Sequence, residues 1–351
     1  MKKTKPKKYS KSSIYVAGIK KNIEEYTLLI ELNPNNAKAY FDRAYARNTI
    51  NKRSDAIADY TKGLEIMPIN DWALNRLGII RLKVKDFKGA IIEFSKAIEL
   101  KPDGYEYYDN RGYAKMQTGE VQDAIADFNK ITELAPAYEK GFFERGYAKS
   151  VLGNIQGAIE DLTKAIELKP NYAAAYFYRG IQKCESEDYL GAIVDFNQTL
   201  SIDRRFTDVY FTRAIAKYHL ADYKGSIEDN MIALEINPKI QGAWYNIGLA
   251  KLDMEDYQGS LEATRKELYN SPPNAEIYTN IGLCRRCLDD TEGSIADFSR
   301  AIELDPQYSN PYMSRGIAKC DLGDMHSGYQ DLKMAAKLGN RGAIELLKEI
   351  G

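Results

Sequence analysis

Polar and apolar residues along this chain alternate in two helical blocks, and the pair of blocks returns every 34 residues. With slot 1 placed on Ala37, slots 4, 8 and 11 share one face of a first helix. Slots 17, 20, 24 and 27 share one face of a second, because a helix turns once in 3.6 residues. Slot 4 is large: Tyr40, Leu74, Tyr108, Phe142, Tyr176, Tyr210, Trp244, Tyr278 and Tyr312. Slot 8 is always Gly or Ala, from Ala44 and Gly78 to Gly316. Slot 20 is Ala, Ser or Gly, from Ala56 and Ala90 to Gly328, and slot 24 is mostly aromatic, as in Tyr60, Phe94, Phe128, Phe196 and Phe298. Small residues at slots 8 and 20 let two helix backbones approach, and the aromatic residues fill the space beside them. The predicted element is a helix–turn–helix.

Punctuation agrees with this period. Pro34, Pro68, Pro102, Pro136, Pro170, Pro238, Pro272 and Pro306 stand at slot 32, with Arg204 at the one missing step. Proline cannot continue the helical hydrogen-bond ladder and biases its predecessor away from the α region, so it ends each second helix. The turn inside each unit carries Gly119, Gly153 or Gly323, or a polar pair such as Lys85-Asp86.

A fixed 34-residue period of this kind resembles the tetratricopeptide repeat family, and "AAAYFYRGIQKCESEDYLGAIVDFNQTL" carries most of the motif. The resemblance implies an all-α, right-handed superhelical solenoid. Nine full units are expected over 37–340, a partial opening unit over 9–36, and a closing helix over 341–351. The lysine-rich stretch 1–8 is expected as a disordered, solvated basic tail.

One slot departs from the family pattern. Slot 7, usually leucine, is Arg43, Arg111, Arg145, Arg179, Arg213 and Arg315, and slot 23 of the same units is Asp59, Asp127, Asp161, Asp195, Asp229 and Asp331. Where slot 7 is Leu77, Ile247 or Ile281, slot 23 is Glu93, Ala263 or Asp297. The expectation is a ladder of structural Arg–Asp pairs between the two helices, since a guanidinium fork matches a carboxylate. Each arginine also has an acid 18 residues upstream, such as Glu25 or Glu93, so pairing within or between units stays open.

Composition narrows the function. A 44% hydrophobic, 28% charged chain of 351 residues supports a packed core, and a net charge of −1 excludes bulk attraction to polyanions. No apolar run reaches membrane-spanning length, and no apolar run follows the lysines as a secretory signal needs. Cys184, Cys284, Cys287 and Cys320 are scattered as in reduced cytoplasmic proteins. The two histidines, His219 and His326, lie far apart, and no catalytic constellation, phosphate-binding loop, metal cluster or cofactor motif is present, so an enzyme is not expected.

The resemblance implies that first helices line a concave groove holding a protein or peptide partner. Slots facing it would be Phe41, Tyr45, Asn110, Tyr113, Phe143, Tyr147, Phe177, Tyr178, Phe211, Tyr218, Tyr245, Asn246 and Asn280: aromatic anchors with amides for a peptide backbone. The lysine and asparagine clamp with which one sub-type holds acidic chaperone tails is absent, because slot 5 lacks lysine and slot 9 lacks asparagine. The expected function is therefore a cytoplasmic protein-interaction scaffold. The alternative is a nucleic-acid-associated solenoid using the basic tail and slot 11 lysines such as Lys115, Lys149, Lys183, Lys217, Lys251 and Lys319. Asn230, Thr264 and Glu267 break the core pattern and mark drift, a flexible zone or a partner site on the convex face.

Overall fold

The computed structural model describes residues 11–350, and every regular element among them is an α-helix. The basic stretch 1–8 lies outside the described residues. The chain forms two compact units, one up to Ala175 and one from Tyr176. In the first, α1 (Lys11–Leu32) precedes four hairpins. These are α2/α3 (Ala37–Thr49, Arg53–Ile66), α4/α5 (Asp71–Lys83, Phe87–Leu100), α6/α7 (Tyr105–Thr118, Val121–Leu134) and α8/α9 (Glu139–Val151, Ile155–Leu168). The second unit begins within α10 (Ala173–Glu185), whose partner is α11 (Tyr189–Ile202). Then come α12/α13 (Asp208–His219, Tyr223–Ile236), α14/α15 (Ala243–Asp253, Tyr257–Asn270), α16/α17 (Ala275–Cys287, Thr291–Leu304), α18/α19 (Ser309–Asp321, Met325–Lys337) and α20 (Arg341–Ile350). The opening segment is one continuous helix, and α20 packs on α19 through buried Ala343.

The small-to-aromatic pairing sets the spacing inside each hairpin. A Cβ on Gly112 would sit 2.5 Å from Cε1 of Phe128, so only glycine admits the ring at that approach. Phe94, Phe128, Phe196 and Phe298 are completely buried against slot 8 glycines in this way.

The turns share one conformation. Slot 15 has positive φ in every full unit: Asn51, Lys85, Gly119, Gly153, Glu187, Ala221, Glu255, Asp289 and Gly323. A left-handed residue closes the first helix and turns the chain back. The next residue caps the second helix. Asp86, Asn154, Asp188, Asp222, Asp256 and Asp290 each accept a hydrogen bond from the backbone N–H of a glycine three residues on.

First helices also touch one another, α4 on α6, α12 on α14, α14 on α16 and α16 on α18. Among the described residues no comparable contact joins one second helix to the next. Within each unit the first helices are therefore the inner row.

Candidate functional site

Two polar systems stand out, one repeated along the hairpins and one local to the first unit. The repeated system is built on the slot 7 arginines. In all six units Nε donates to one aspartate oxygen at 2.7–3.0 Å and Nη2 to the other at 2.6–2.8 Å. The arginine side chains are 12–18% exposed and the aspartates 1–9%. Each guanidinium lies 5.4–5.8 Å from the slot 4 ring one turn earlier.

The remaining nitrogen settles how neighbouring units are joined. Nη1 donates to slot 25 of the preceding unit: Arg43 to Thr27, Arg111 to Ser95, Arg145 to Asn129, Arg213 to Asn197 and Arg315 to Ser299. The upstream acids are placed elsewhere, with Glu93 against Arg81 and Lys96, and Glu25 exposed. Sequence reasoning also missed a third member. Slot 11 supplies a second cation to the same aspartate, as in Arg47–Asp59 at 2.7 Å, Lys115–Asp127 and Lys149–Asp161 at 2.8 Å, and Lys319–Asp331 at 2.7 Å. Lys183 and Lys217 do the same with Asp195 and Asp229, each at 2.9 Å. The signal was available: every slot 11 is Lys or Arg.

At Leu77 and Ile247, two of the positions where the arginine is missing, space opens at the equivalent place. A cleft of about 330 Å³ is lined by Leu64, Leu74, Leu77, Arg81 and Glu93. Another of about 220 Å³ is lined by Met231, Trp244, Ile247, Lys251 and Ala263. Here Lys251 pairs with Asp256 instead, at 2.9 Å.

The inner row places the groove residues unevenly. Tyr45 and Tyr113 are exposed, at 54% and 46%. Phe143, Tyr147, Tyr178, Phe211, Tyr218, Tyr245, Asn110 and Asn246 are half-buried. Phe41 and Phe177 are instead core residues: Phe41 stacks on Tyr60 at 6.0 Å, and Phe177 packs on Phe196 and Phe206. Their rings point between the two helices of their own hairpin, against the second helix and the segment that follows it. Asn280 is also interior. Its Oδ1 accepts from Ser260 and Thr264 at 3.4 Å, so its amide is not on the surface. Asn110 donates to Oδ1 of Asn75 at 3.0 Å, an amide bridge between α6 and α4, and the Tyr218 hydroxyl donates to Asp253 at 2.6 Å.

The local system lies beside that bridge in the first unit. Asp109, at slot 5 between Asn75 of the preceding unit and Phe143 of the next, is 8% exposed. Lys140 Nζ lies 2.7 Å from its Oδ2 and 3.9 Å from Glu144 Oε1, and the Tyr138 hydroxyl donates to Oδ2 at 3.5 Å. Burial pushes the Glu144 carboxyl above the usual range, and it also pushes up the Tyr138 and Tyr172 hydroxyls, with the acids nearby adding to the effect. Two ring pairs flank the carboxylates, Tyr105–Tyr138 at 5.1 Å and Phe143–Tyr172 at 4.9 Å. Among the described residues no group of three metal-ligating side chains is assembled, and no helix is long and apolar enough to cross a membrane. All four cysteines are unpaired.

Comparison with known proteins fits this architecture. The family profile described as tetratricopeptide repeat matches residues 73–103, 105–138, 140–172 and 275–308. Among solved structures, a tetratricopeptide repeat protein from Parabacteroides merdae is 16% identical with a TM-score of 0.52, covering 71% of this chain and 98% of its own. A chain of the APC/C hetero-tetramer Cut9–Hcn1 is also 16% identical with a TM-score of 0.52, covering 84% of this chain and 58% of its own. No curated protein matches. The fold is thus an all-α solenoid of helical hairpins. Four of its hairpin stretches match the tetratricopeptide repeat profile.

Proposed function

We propose that the chain is a non-catalytic protein-interaction scaffold that holds a peptide or protein segment along the inner row of first helices. The observation that carries this reading is the exposure of Tyr45 and Tyr113, large rings left in solvent on the row where the first helices converge. Half-buried Tyr147 on the same row of the first unit extends the strip, and Tyr178, Phe211 and Tyr245 form the corresponding strip of the second. Exposed tyrosines of this kind supply contact area at small entropic cost.

The polar chemistry supports the same reading over the nucleic-acid alternative. Lys115, Lys149, Lys183, Lys217 and Lys319 at slot 11 are held by buried aspartates, so they are poor candidates for phosphate contacts. The test compares partners captured by the wild-type chain with those captured by Tyr45→Ala/Tyr113→Ala, after circular dichroism has shown equal helix content. The scaffold reading expects partners to be lost from the variant. Unchanged capture sinks it, and RNA binding that falls steeply with salt favours the alternative.

A further inference from the structure

We propose that the inner face of the first unit, at Asp109 and Glu144, is a pocket for one basic side chain, lysine or arginine, of a bound partner peptide. This rests on the scaffold reading and adds a charge specificity to it.

The argument is one of unbalanced charge. Two carboxylates, Asp109 on α6 and Glu144 on α8, share a single ammonium, Lys140, which lies close to one and at the limit of ion-pair distance from the other. Asp109 is more than nine-tenths buried, yet its Oδ1 has no hydrogen-bond partner. A buried carboxylate oxygen left without a donor costs free energy, and a second cation approaching the same carboxylate from the Oδ2 side, where Lys140 already reaches it, would recover part of that cost. Neighbouring acids are already occupied: Asp71 accepts from the Tyr107 hydroxyl at 2.6 Å, and Glu139 pairs with Lys169 at 3.0 Å. The surplus negative charge is therefore local to Asp109 and Glu144.

The walls suit a cation with an apolar stem. Tyr138 and Tyr172 stand at the edge of the acids, each backed by a second ring. Lys169 already uses this chemistry, with its Nζ 4.8 Å from the Tyr172 ring. Lys140, whose side chain is 41% exposed, is the internal stand-in that an incoming lysine or arginine displaces or joins. The resulting preference has the opposite sign to a clamp for acidic tails.

The experiment is selection of random, terminally blocked dodecapeptides on the full chain, followed by affinity measurement. The expected result is a Lys or Arg at one fixed position of the selected peptides. Asp109→Asn/Glu144→Gln then weakens the best peptide about tenfold and erases the basic preference. Lys140→Met, which leaves both carboxylates in place and so keeps the test open should Asp109→Asn misfold, tightens binding about threefold by removing the internal competitor. Selected peptides without a fixed basic position, or a Lys140→Met variant that binds more weakly, overturn the pocket and leave the scaffold standing. Failure to select any peptide overturns both.

Discussion

At the scale of single residues, the arginine–aspartate pairs replace part of an apolar core with a saturated polar one. Arg145 holds Asp161 through two hydrogen bonds, reaches Asn129 and Thr132 of the preceding unit, and stacks on Phe142. Removing one partner of such a pair leaves a poorly solvated charge behind. Arg145→Ala should cost about 3 kcal/mol, the low end for a broken buried pair, because Lys149 stays on Asp161. Asp161→Ala strands two cations and should cost more, toward about 5 kcal/mol. Urea denaturation of both variants checks the order, and equal losses below about 1 kcal/mol would show a surface-type pair. A pH dependence follows from the caps. The Arg81 guanidinium beside Asp86 holds its carboxyl below the usual range, and the Gly89 N–H adds to this. Because the native value is lowered, the stabilisation is complete above the ordinary aspartate range. It is lost as pH falls through the lowered native value. Asp86→Asn keeps the cap without the charge. Its deficit at neutral pH, at most about 1 kcal/mol for so exposed a pair, should shrink toward zero in acid. A thermal melt series on both proteins from pH 7 to pH 2 reads this, and a deficit that grows in acid contradicts it.

At the scale of elements, the turn is the component the sequence specifies least evenly. Slot 15 is left-handed in every full unit, yet only Gly119, Gly153 and Gly323 are glycine there. Ala221, with φ of 58°, has neither the freedom of glycine nor a side-chain amide to favour the conformation. Ala221→Gly should stabilise the α12/α13 hairpin by about 1 kcal/mol, since left-handed backbone costs an L-residue roughly that much. A higher unfolding temperature is the expected readout, and an unchanged or lower one refutes the strain. The α14/α15 hairpin shows a different solution. Glu267 stands where most other units have Gly or Ala, and its buried carboxylate accepts from the N–H groups of Gly242 and Tyr245 at the start of α14. A carboxylate at a helix N-terminus is favourable, so this break in the repeat pattern is a cap supplied by the neighbouring helix.

At the scale of the molecule, the second unit has an uneven interior. Asn230 and Thr264 occupy the slot filled by Phe196 and Phe298 elsewhere, and Ser226 Oγ, Asn230 Oδ1 and Asn280 Nδ2 are buried without partners. Lost ring burial and unmet polar groups both lower the local cost of opening, and repeat arrays open unit by unit. Amide hydrogen exchange should therefore be faster in α13 and α15 than in α17, whose Phe298 is fully buried. Equal protection across the three helices would remove this zone of low stability. The period, the hairpins and the small and aromatic slots were legible in the sequence, because they are set within one 34-residue repeat by helix periodicity and size, whereas each arginine was left with two candidate acids, one in its own unit and one upstream. What periodicity does not carry is depth and partner. It places Phe41, Phe177 and Tyr45 on related faces, but only packing buries the first two and leaves the third in solvent. It cannot assign Nη1 to the preceding unit, give slot 11 to the same aspartate, or bring Asp109 and Glu144 to one lysine. Those outcomes depend on how the two helices of a hairpin, and one hairpin and the next, are shifted and turned on each other, a quantity fixed by side chains distant in sequence meeting in space.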